Sequence, residues 1–146
     1  MKMSNSEYGE YVKKKSPNSP VGGDLLKAFL VGGAICCLGQ LILNGWIELG
    51  FDKDNAAVMT SITMVFLGAL LTGLGVYGDM GKFAGAGTLV PITGFANSVA
   101  APALEFKSEG YITGTAAKMF VIAGPVIVYG TAASIVYGLI YYLFMA

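Results

Sequence analysis

Three apolar runs, each long enough to cross a lipid bilayer, constrain the fold of this chain more than any other feature. The first is predicted to form a helix from Leu25 to Ile47 and the second from Asn55 to Tyr77, while the third run extends from Tyr111 to Ala146. A helix rises about 1.5 Å per residue, so about 20 residues cross the hydrocarbon core. We therefore predict an integral membrane protein built from helices.

The third apolar run is too long for one ordinary span, and Gly124-Pro125 divides it. Proline has no backbone N–H and crowds the preceding turn, but it fits the first turn of a helix. We therefore predict a short helical piece from Tyr111 to Ala123 and a third full span from Pro125 to Met145.

Composition supports a membrane protein and argues against other classes. The 146 residues are 55% hydrophobic and 12% charged, with nine basic and nine acidic residues and no histidine. A nucleic-acid-binding protein needs a basic face, and general acid–base catalysis needs titratable groups in a suitable spacing. We expect no nucleic-acid partner, no enzymatic activity and no cofactor. The adjacent Cys36 and Cys37 are predicted to be small apolar side chains, and no metal site is expected.

The distribution of charge predicts a polar tail, residues 1–23, followed by a single helical membrane domain, residues 24–146. Asp24 is the predicted N-cap of the first span. The loop of residues 48–54 is net negative, whereas the tail carries four lysines, so the tail is predicted to be cytoplasmic and that loop to be outside. The tail lysines are Lys2, Lys13, Lys14 and Lys15.

The stretch from Gly78 to Gly110 is apolar but is interrupted by glycine, proline, threonine and asparagine. We predict two short helical pieces that meet at an irregular joint between Val90 and Gly94. Irregular backbone at membrane depth is tolerated only where protein or a water-filled cavity satisfies its polar groups. Whether this stretch crosses the membrane or re-enters it remains open. The predicted fold class is therefore all-α, with three full transmembrane helices plus broken or re-entrant half-helices.

The residues also resemble a known family. The segments GKFAGAGTLVPITGFANS (81–98), ALEFKSEG (103–110) and LVGGAICCLGQ (30–40) are similar to the SpoVA family of sporulation membrane proteins, in its AC and AE subunit types. The likeness extends over nearly the whole chain. It implies a multi-pass component of the inner membrane of a developing spore in a spore-forming bacterium.

The resemblance further implies a role in moving dipicolinic acid, with calcium, into the spore and out again during germination. It also implies a response to membrane tension. The expected partners are the lipid bilayer and other SpoVA-type subunits, in a homo- or hetero-oligomer, because a chain this small has little protein with which to enclose a conduit.

A path for a dianion such as dipicolinate needs positive potential without trapping. A helix that restarts near Pro91 would present free amides carrying about half a positive charge, and Gly124-Pro125 would form a second such end. The candidate solute-path residues are the lysines and polar residues near these points, Lys82, Lys118, Thr88, Pro91, Thr93 and Asn97. The candidate helix-break and packing residues are Gly85, Gly87, Gly94, Gly124 and Pro125.

Each lysine has an alternative interpretation. Lys82 would also be satisfied by extending to the lipid headgroups. Lys118 would also be satisfied by an ion pair with Glu105, Glu109 or Asp79, because a lysine inside an apolar segment needs water or an acid. The function has an alternative as well, a non-conducting structural subunit that scaffolds a membrane transport complex.

Overall fold

The computed structural model describes residues 4–16 and 20–145, so Lys2 and Ala146 of the sequence predictions lie outside the described residues. Helices account for nearly all of this part of the chain. The α-helices are α1 (Asn5–Lys15), α2 (Val21–Glu48), α3 (Lys53–Gly73), α4 (Val76–Ala84), α5 (Ala86–Leu89), α6 (Ile92–Glu105) and α7 (Ala117–Met145). A 3₁₀ turn (Phe106–Glu109) and a π-helix (Tyr111–Ala116) join α6 to α7.

Three helices are long and apolar enough to cross a membrane, namely α2, α3 and the continuous helix from Tyr111 to Phe144. Together with the shorter helices between them, they confirm the predicted fold class. The first span begins one turn earlier than predicted, because Pro20 occupies the N-cap position of α2. Asp24 is therefore not the cap. It lies in the first turn and pairs with Lys27, with 3.8 Å between the carboxylate oxygen and Nζ.

The second span ends before the predicted Tyr77. Helix α3 stops at Gly73, and Gly75 adopts a left-handed conformation with φ of +77° that begins α4. Glycine populates this region at little cost because it has no Cβ. Tyr77 therefore belongs to a separate short helix, and this places its side chain among the central elements of the fold.

The predicted helix break at Gly124-Pro125 is wrong. Helix α7 continues through Pro125 from Ala117 to Met145. A proline inside a helix removes one hydrogen bond, and transmembrane helices tolerate this loss because nearby groups and local adjustments satisfy the freed carbonyl. The irregular backbone of this segment lies instead in the π-helix, Tyr111–Ala116, which directly precedes α7.

The central stretch is broken where the sequence predicted, and also at a second point. Gly85, with φ of +51° and ψ of −121°, separates α4 from α5. Val90 ends α5, and Pro91 begins α6 in an extended conformation with ψ of 161°. The 14 residues of α6 rise about 21 Å, less than the hydrocarbon thickness of about 30 Å.

Small residues at the contacts let these helices pack closely. The most extensive helix contact among the described residues joins α3 to α6, and α2 packs on both α3 and α5. The buried apolar residues are mostly alanines and include Ala56, Ala84, Ala96 and Ala103. Small side chains allow backbones to approach, which drives helix association in lipid. By contrast, every residue from Pro125 to Phe144 in α7 is exposed.

Candidate functional site

The candidate site is the joint between α5 and α6, and Tyr77 of α4 lies against it. The Tyr77 hydroxyl lies 2.8 Å from the backbone carbonyl oxygen of Thr88 and 2.8 Å from the hydroxyl oxygen of Thr93. A tyrosine hydroxyl has one hydrogen. It donates to the carbonyl and accepts from Thr93. Tyr77, Thr88 and Thr93 are 2%, 0% and 6% exposed, so these bonds form away from solvent.

The Thr88 hydroxyl completes this set of bonds by donating to the carbonyl oxygen of Gly85, at 3.0 Å. The two interruptions of the central stretch are thereby joined, because Gly85 ends α4 and Thr93 lies in the first turn of α6. Buried polar groups are costly unless they are paired. The hydroxyls of the predicted path residues Thr88 and Thr93 are therefore paired within the protein.

Two of the predicted packing glycines allow close approaches of backbone to backbone. A Cβ on Gly87 would overlap the carbonyl oxygen of Ala28 in α2, and a Cβ on Gly94 would overlap the carbonyl oxygen of Thr88. Gly85 is needed for its backbone conformation, because its φ is positive at the turn between α4 and α5. Without a side chain at these three positions, α5 can lie directly on α2 and fold back against the start of α6.

The predicted path residue Asn97 contacts α3. Its side-chain amide lies 2.9 Å from the hydroxyl of Thr72, and that hydroxyl also lies 2.7 Å from the carbonyl oxygen of Gly68. One hydroxyl hydrogen cannot serve both acceptors. If it is donated to the Gly68 carbonyl, the Asn97 amide group donates to the hydroxyl. The contact fixes the angle of α6 on α3 one turn beyond the joint.

Pro91 places an uncapped helix N-terminus at the joint. No side chain caps the first turn of α6, and Pro91 is its N-cap residue. The first amides of a helix have no partner within the helix and carry a partial positive charge. This is the helix end that the sequence predicted. The second predicted end, at Gly124-Pro125, does not exist because α7 is continuous there.

Lys82 lies at the surface and pairs with an acid one turn earlier. Its Nζ donates to the carboxylate of Asp79 at 2.9 Å, and both side chains are about four-fifths exposed. This hydrogen bond, followed by the charge of the partner, raises the pKa of Lys82 and lowers the pKa of Asp79. The structure therefore does not bring Lys82 to the joint.

Lys118 lies in the first turn of α7, against the 3₁₀ turn. Its Nζ is 3.8 Å from the centroid of the Phe106 ring, a cation–π geometry. Within the described residues it forms no ion pair with Glu105, Glu109 or Asp79. The alternative interpretation of Lys118 as an ion-pair partner is therefore not the arrangement found.

The π-helix beside Lys118 contains a polar atom that sequence reasoning missed. The Oγ1 of Thr115 is buried and has no hydrogen-bond partner within the described residues. Thr115 and Lys118 are three residues apart, on the two sides of the boundary between the π-helix and α7. Gly114 packs against the carbonyl of Phe106. A hydroxyl without a partner among the described residues and a lysine therefore both occur at this boundary.

Sequence reasoning also missed Tyr77, which it assigned to the end of a transmembrane span. A tyrosine at the end of an apolar run is typical of the membrane interface. The sequence did contain a signal that the span ends before Tyr77. Gly75 lies two residues earlier, glycine is common at helix ends, and in the structure Gly75 separates α3 from α4. The partners of Tyr77, 11 and 16 residues away, could not be found from spacing.

Comparison with known proteins identifies the family. The model of the SpoVAC/SpoVAEB sporulation membrane proteins matches residues 24–140. The chain belongs to the SpoVAC/SpoVAEB family. Within it, the chain is 47% identical over 138 residues to stage V sporulation protein AC of Bacillus subtilis (strain 168). The aligned residues make up 94% of this chain and 92% of that protein.

The SpoVAC/SpoVAEB match includes all of the central stretch and of α3, and most of α2 and of the helix from Tyr111 to Phe144. This confirms the resemblance predicted from the segments at 30–40, 81–98 and 103–110. Family membership and the three spans together establish a multi-pass sporulation membrane protein. No solved structure matches the chain.

Proposed function

We propose that this chain is a channel or transport subunit that carries dipicolinic acid, together with calcium, across the inner membrane of the developing and germinating spore. It acts with other SpoVA-type subunits and opens in response to membrane tension. Membership of a sporulation membrane family supports the setting. The observation that carries the proposal is the interrupted backbone at Val90–Pro91, held within the helical domain by buried hydrogen bonds.

The hydrogen bonds of Tyr77 correspond to a closed state in this proposal. While its hydroxyl contacts Thr88 and Thr93, these two residues stay buried and α4 is held against the first turn of α6. Tension favours the state of larger membrane area. Separation of α4 from the joint would break these bonds and expose the uncapped amides of α6, whose partial positive charge suits a carboxylate.

Lys118 and Thr115 supply the charged and polar contacts of the proposed path near the start of α7. The ammonium group rests on an aromatic ring and not on an acid, so its charge is available to an anion. Among the described residues, the Thr115 hydroxyl is buried without a partner and can donate a hydrogen bond. One ammonium group and one hydroxyl bind a dianion more weakly than a cluster of arginines, and weak binding permits passage.

Release from vesicles tests the proposal. The full chain, alone and with its partner subunits, is reconstituted into vesicles loaded with dipicolinate, and terbium luminescence outside the vesicles reports release after an osmotic downshift. We expect tension-dependent release that Tyr77→Phe brings on at a smaller downshift. Lys118→Gln is expected to slow release severalfold, whereas Tyr129→Phe, at an exposed position on α7, should match the parent.

A non-conducting scaffold is the second candidate, and the pairing of Thr88 and Thr93 inside the protein favours it. A scaffold would assemble with its partners without affecting solute release. If the partners release dipicolinate equally with the parent chain, with Tyr77→Phe and with Lys118→Gln while all three assemble, the scaffold role is correct and the proposed path is wrong.

A further inference from the structure

A cavity of about 200 Å³ lies between α2, α3 and α4 and reaches the start of α6. Its lining is apolar apart from two hydroxyl groups. Ile35 and Leu38 contribute from α2, Met64 and Leu71 from α3, and Met80 from α4, with Tyr77 and Thr93 at the end nearest the joint. The cavity therefore lies between two membrane-spanning helices, with Tyr77 and Thr93 of the joint in its wall.

Water and charged solutes have no partner in this cavity. The two polar side chains of its lining bond to each other, because the Thr93 hydroxyl donates to the Tyr77 oxygen, and the single hydroxyl hydrogen of Tyr77 is donated to the Thr88 carbonyl. A water molecule needs two to four polar partners, and an apolar cavity of about 150 Å³ stays dry and accepts apolar molecules. The occupant must therefore be apolar, which excludes dipicolinate and calcium.

The cavity is accessible from the surface that faces lipid. Leu38 and Leu70 lie at its edge and are 46% and 45% exposed, and both belong to helices that span the membrane. These residues lie near the middle of α2 and in the second half of α3, where the surrounding medium is hydrocarbon. The molecules present at high concentration at such an opening are the acyl chains of phospholipids.

We propose that this cavity binds part of one acyl chain of a bilayer phospholipid. The segment enters between Leu38 and Leu70 and ends against Met64 and Met80. Its contacts replace the dispersion contacts that an empty cavity would forfeit. Because Tyr77 and Thr93 form part of the wall, the bound chain packs beside the hydrogen bond that joins them. The proposal concerns a lipid site and stands whether or not the protein conducts dipicolinate.

Photochemical labelling tests the proposal on the full chain. The protein is reconstituted into phosphatidylcholine and phosphatidylglycerol vesicles that contain a phosphatidylcholine with a diazirine in the middle of one acyl chain. After illumination, labelled residues are mapped by mass spectrometry. Met64 is the diagnostic residue because it is only 5% exposed and lines the cavity. We expect lipid adducts on Met64 in addition to those on the exposed helix α7.

A variant whose cavity is filled by a larger side chain provides the comparison for the labelling experiment. Leu71→Phe adds volume at the wall of the cavity and is expected to reduce labelling of Met64 at least fivefold, while labelling of Val136 on α7 stays unchanged. Leu139→Phe, at a 58% exposed position on α7, is the matched control and should leave Met64 labelled. If Leu71→Phe does not give a monodisperse protein, Ile35→Phe fills the cavity from the opposite wall.

Two results would overturn the proposal. One is an unlabelled Met64 in the parent protein when Val136 is labelled, which means that bilayer chains reach the surface but not the cavity. The other is equal labelling of Met64 in the parent and in a folded, cavity-filled variant, which means that the label reaches Met64 by another route.

Discussion

The hydroxyl oxygens of Tyr77 and Thr93 lie 2.8 Å apart and tie the short helix α4 to the first turn of α6. The same tyrosine bonds the last turn of α5 through the Thr88 carbonyl. Helices α4, α5 and α6 thus meet at the buried side chain of Tyr77. The Thr88 carbonyl and the Thr93 hydroxyl both have it as a hydrogen-bond partner. The joint is consequently stabilised by a small number of bonds that a single substitution can remove.

Removing the Tyr77 hydroxyl is expected to destabilise the joint. Tyr77→Phe leaves a buried carbonyl and a buried hydroxyl without their partner, a loss of about 1–3 kcal/mol. The apparent melting temperature in detergent should fall, and backbone amides near Thr88 and Thr93 should exchange hydrogen faster. Tyr129→Phe is the control because Tyr129 is 76% exposed. Equal melting temperatures for the parent and Tyr77→Phe would contradict this account.

Gly87 and Gly33 offer a matched pair that separates close packing from helix propensity. A Cβ on Gly87 would overlap the backbone of Ala28, whereas a Cβ on Gly33 would meet nothing within 4 Å. Gly87→Ala is therefore expected to cost about 1–3 kcal/mol by overpacking. Gly33→Ala should be neutral or stabilise α2 by up to about 1 kcal/mol. Unfolding in detergent measures both changes, and a neutral Gly87→Ala would show that α5 can move away from α2.

Asp52 is expected to make stability depend on pH at the start of α3. Its carboxylate is the N-cap and accepts hydrogen bonds from the side chain and the backbone N–H of Asn55, and these bonds lower the pKa of Asp52 below its usual value of 3.8. A lowered pKa in the folded state means that the stabilisation is present above the unfolded value and is lost as the pH falls through the folded value.

The corresponding measurement compares Asp52→Ala with the parent at two pH values. At pH 7 the variant should melt at a lower temperature, and at pH 2 the difference should be smaller, because the parent carboxylate is protonated to a greater extent as the pH falls. Asp54→Ala, which removes an acid from the first turn without removing the cap, should have a smaller effect at pH 7. A difference that is the same at both pH values would show that the charge of Asp52 is not involved.

Thr115→Val distinguishes a functional hydroxyl from a structural one. Because Oγ1 of Thr115 has no partner within the described residues, replacing it with a methyl group of similar size removes no hydrogen bond and should not lower the melting temperature. If the hydroxyl contacts the solute, dipicolinate release from vesicles should nevertheless slow severalfold. Release at the parent rate from a folded Thr115→Val protein would remove this residue from the proposed path.

Local sequence chemistry predicted the interruption at Pro91, because a proline with glycines on both sides leaves few backbone arrangements. The same reasoning failed at Pro125. The two prolines differ in surroundings: Pro91 follows a four-residue helix, whereas Pro125 lies within a helix of 29 residues. A long helix retains its remaining hydrogen bonds in lipid, so one missing N–H does not end it.

Tertiary contacts explain what the sequence could not predict at the site. Thr88 and Thr93 were identified as polar residues at the break, but their burial depends on Tyr77, which is positioned by the turn at Gly75. Lys118 was expected to meet an acid or a solute, and it lies on the Phe106 ring because the 3₁₀ turn folds back on the π-helix. Neither arrangement follows from residue spacing along a single helix.

The exposed second half of α7 can act as a lever arm. The 20 positions from Pro125 to Phe144 are exposed, and at about 1.5 Å per residue they form an arm about 30 Å long. The base of the arm is held where the helix leaves the π-helix and passes α6. A rotation of about 10° at that base would carry the tip about 5 Å through the surrounding lipid, given the length set by the helical rise. Small adjustments beside Lys118 are thereby magnified at the opposite end of the helix.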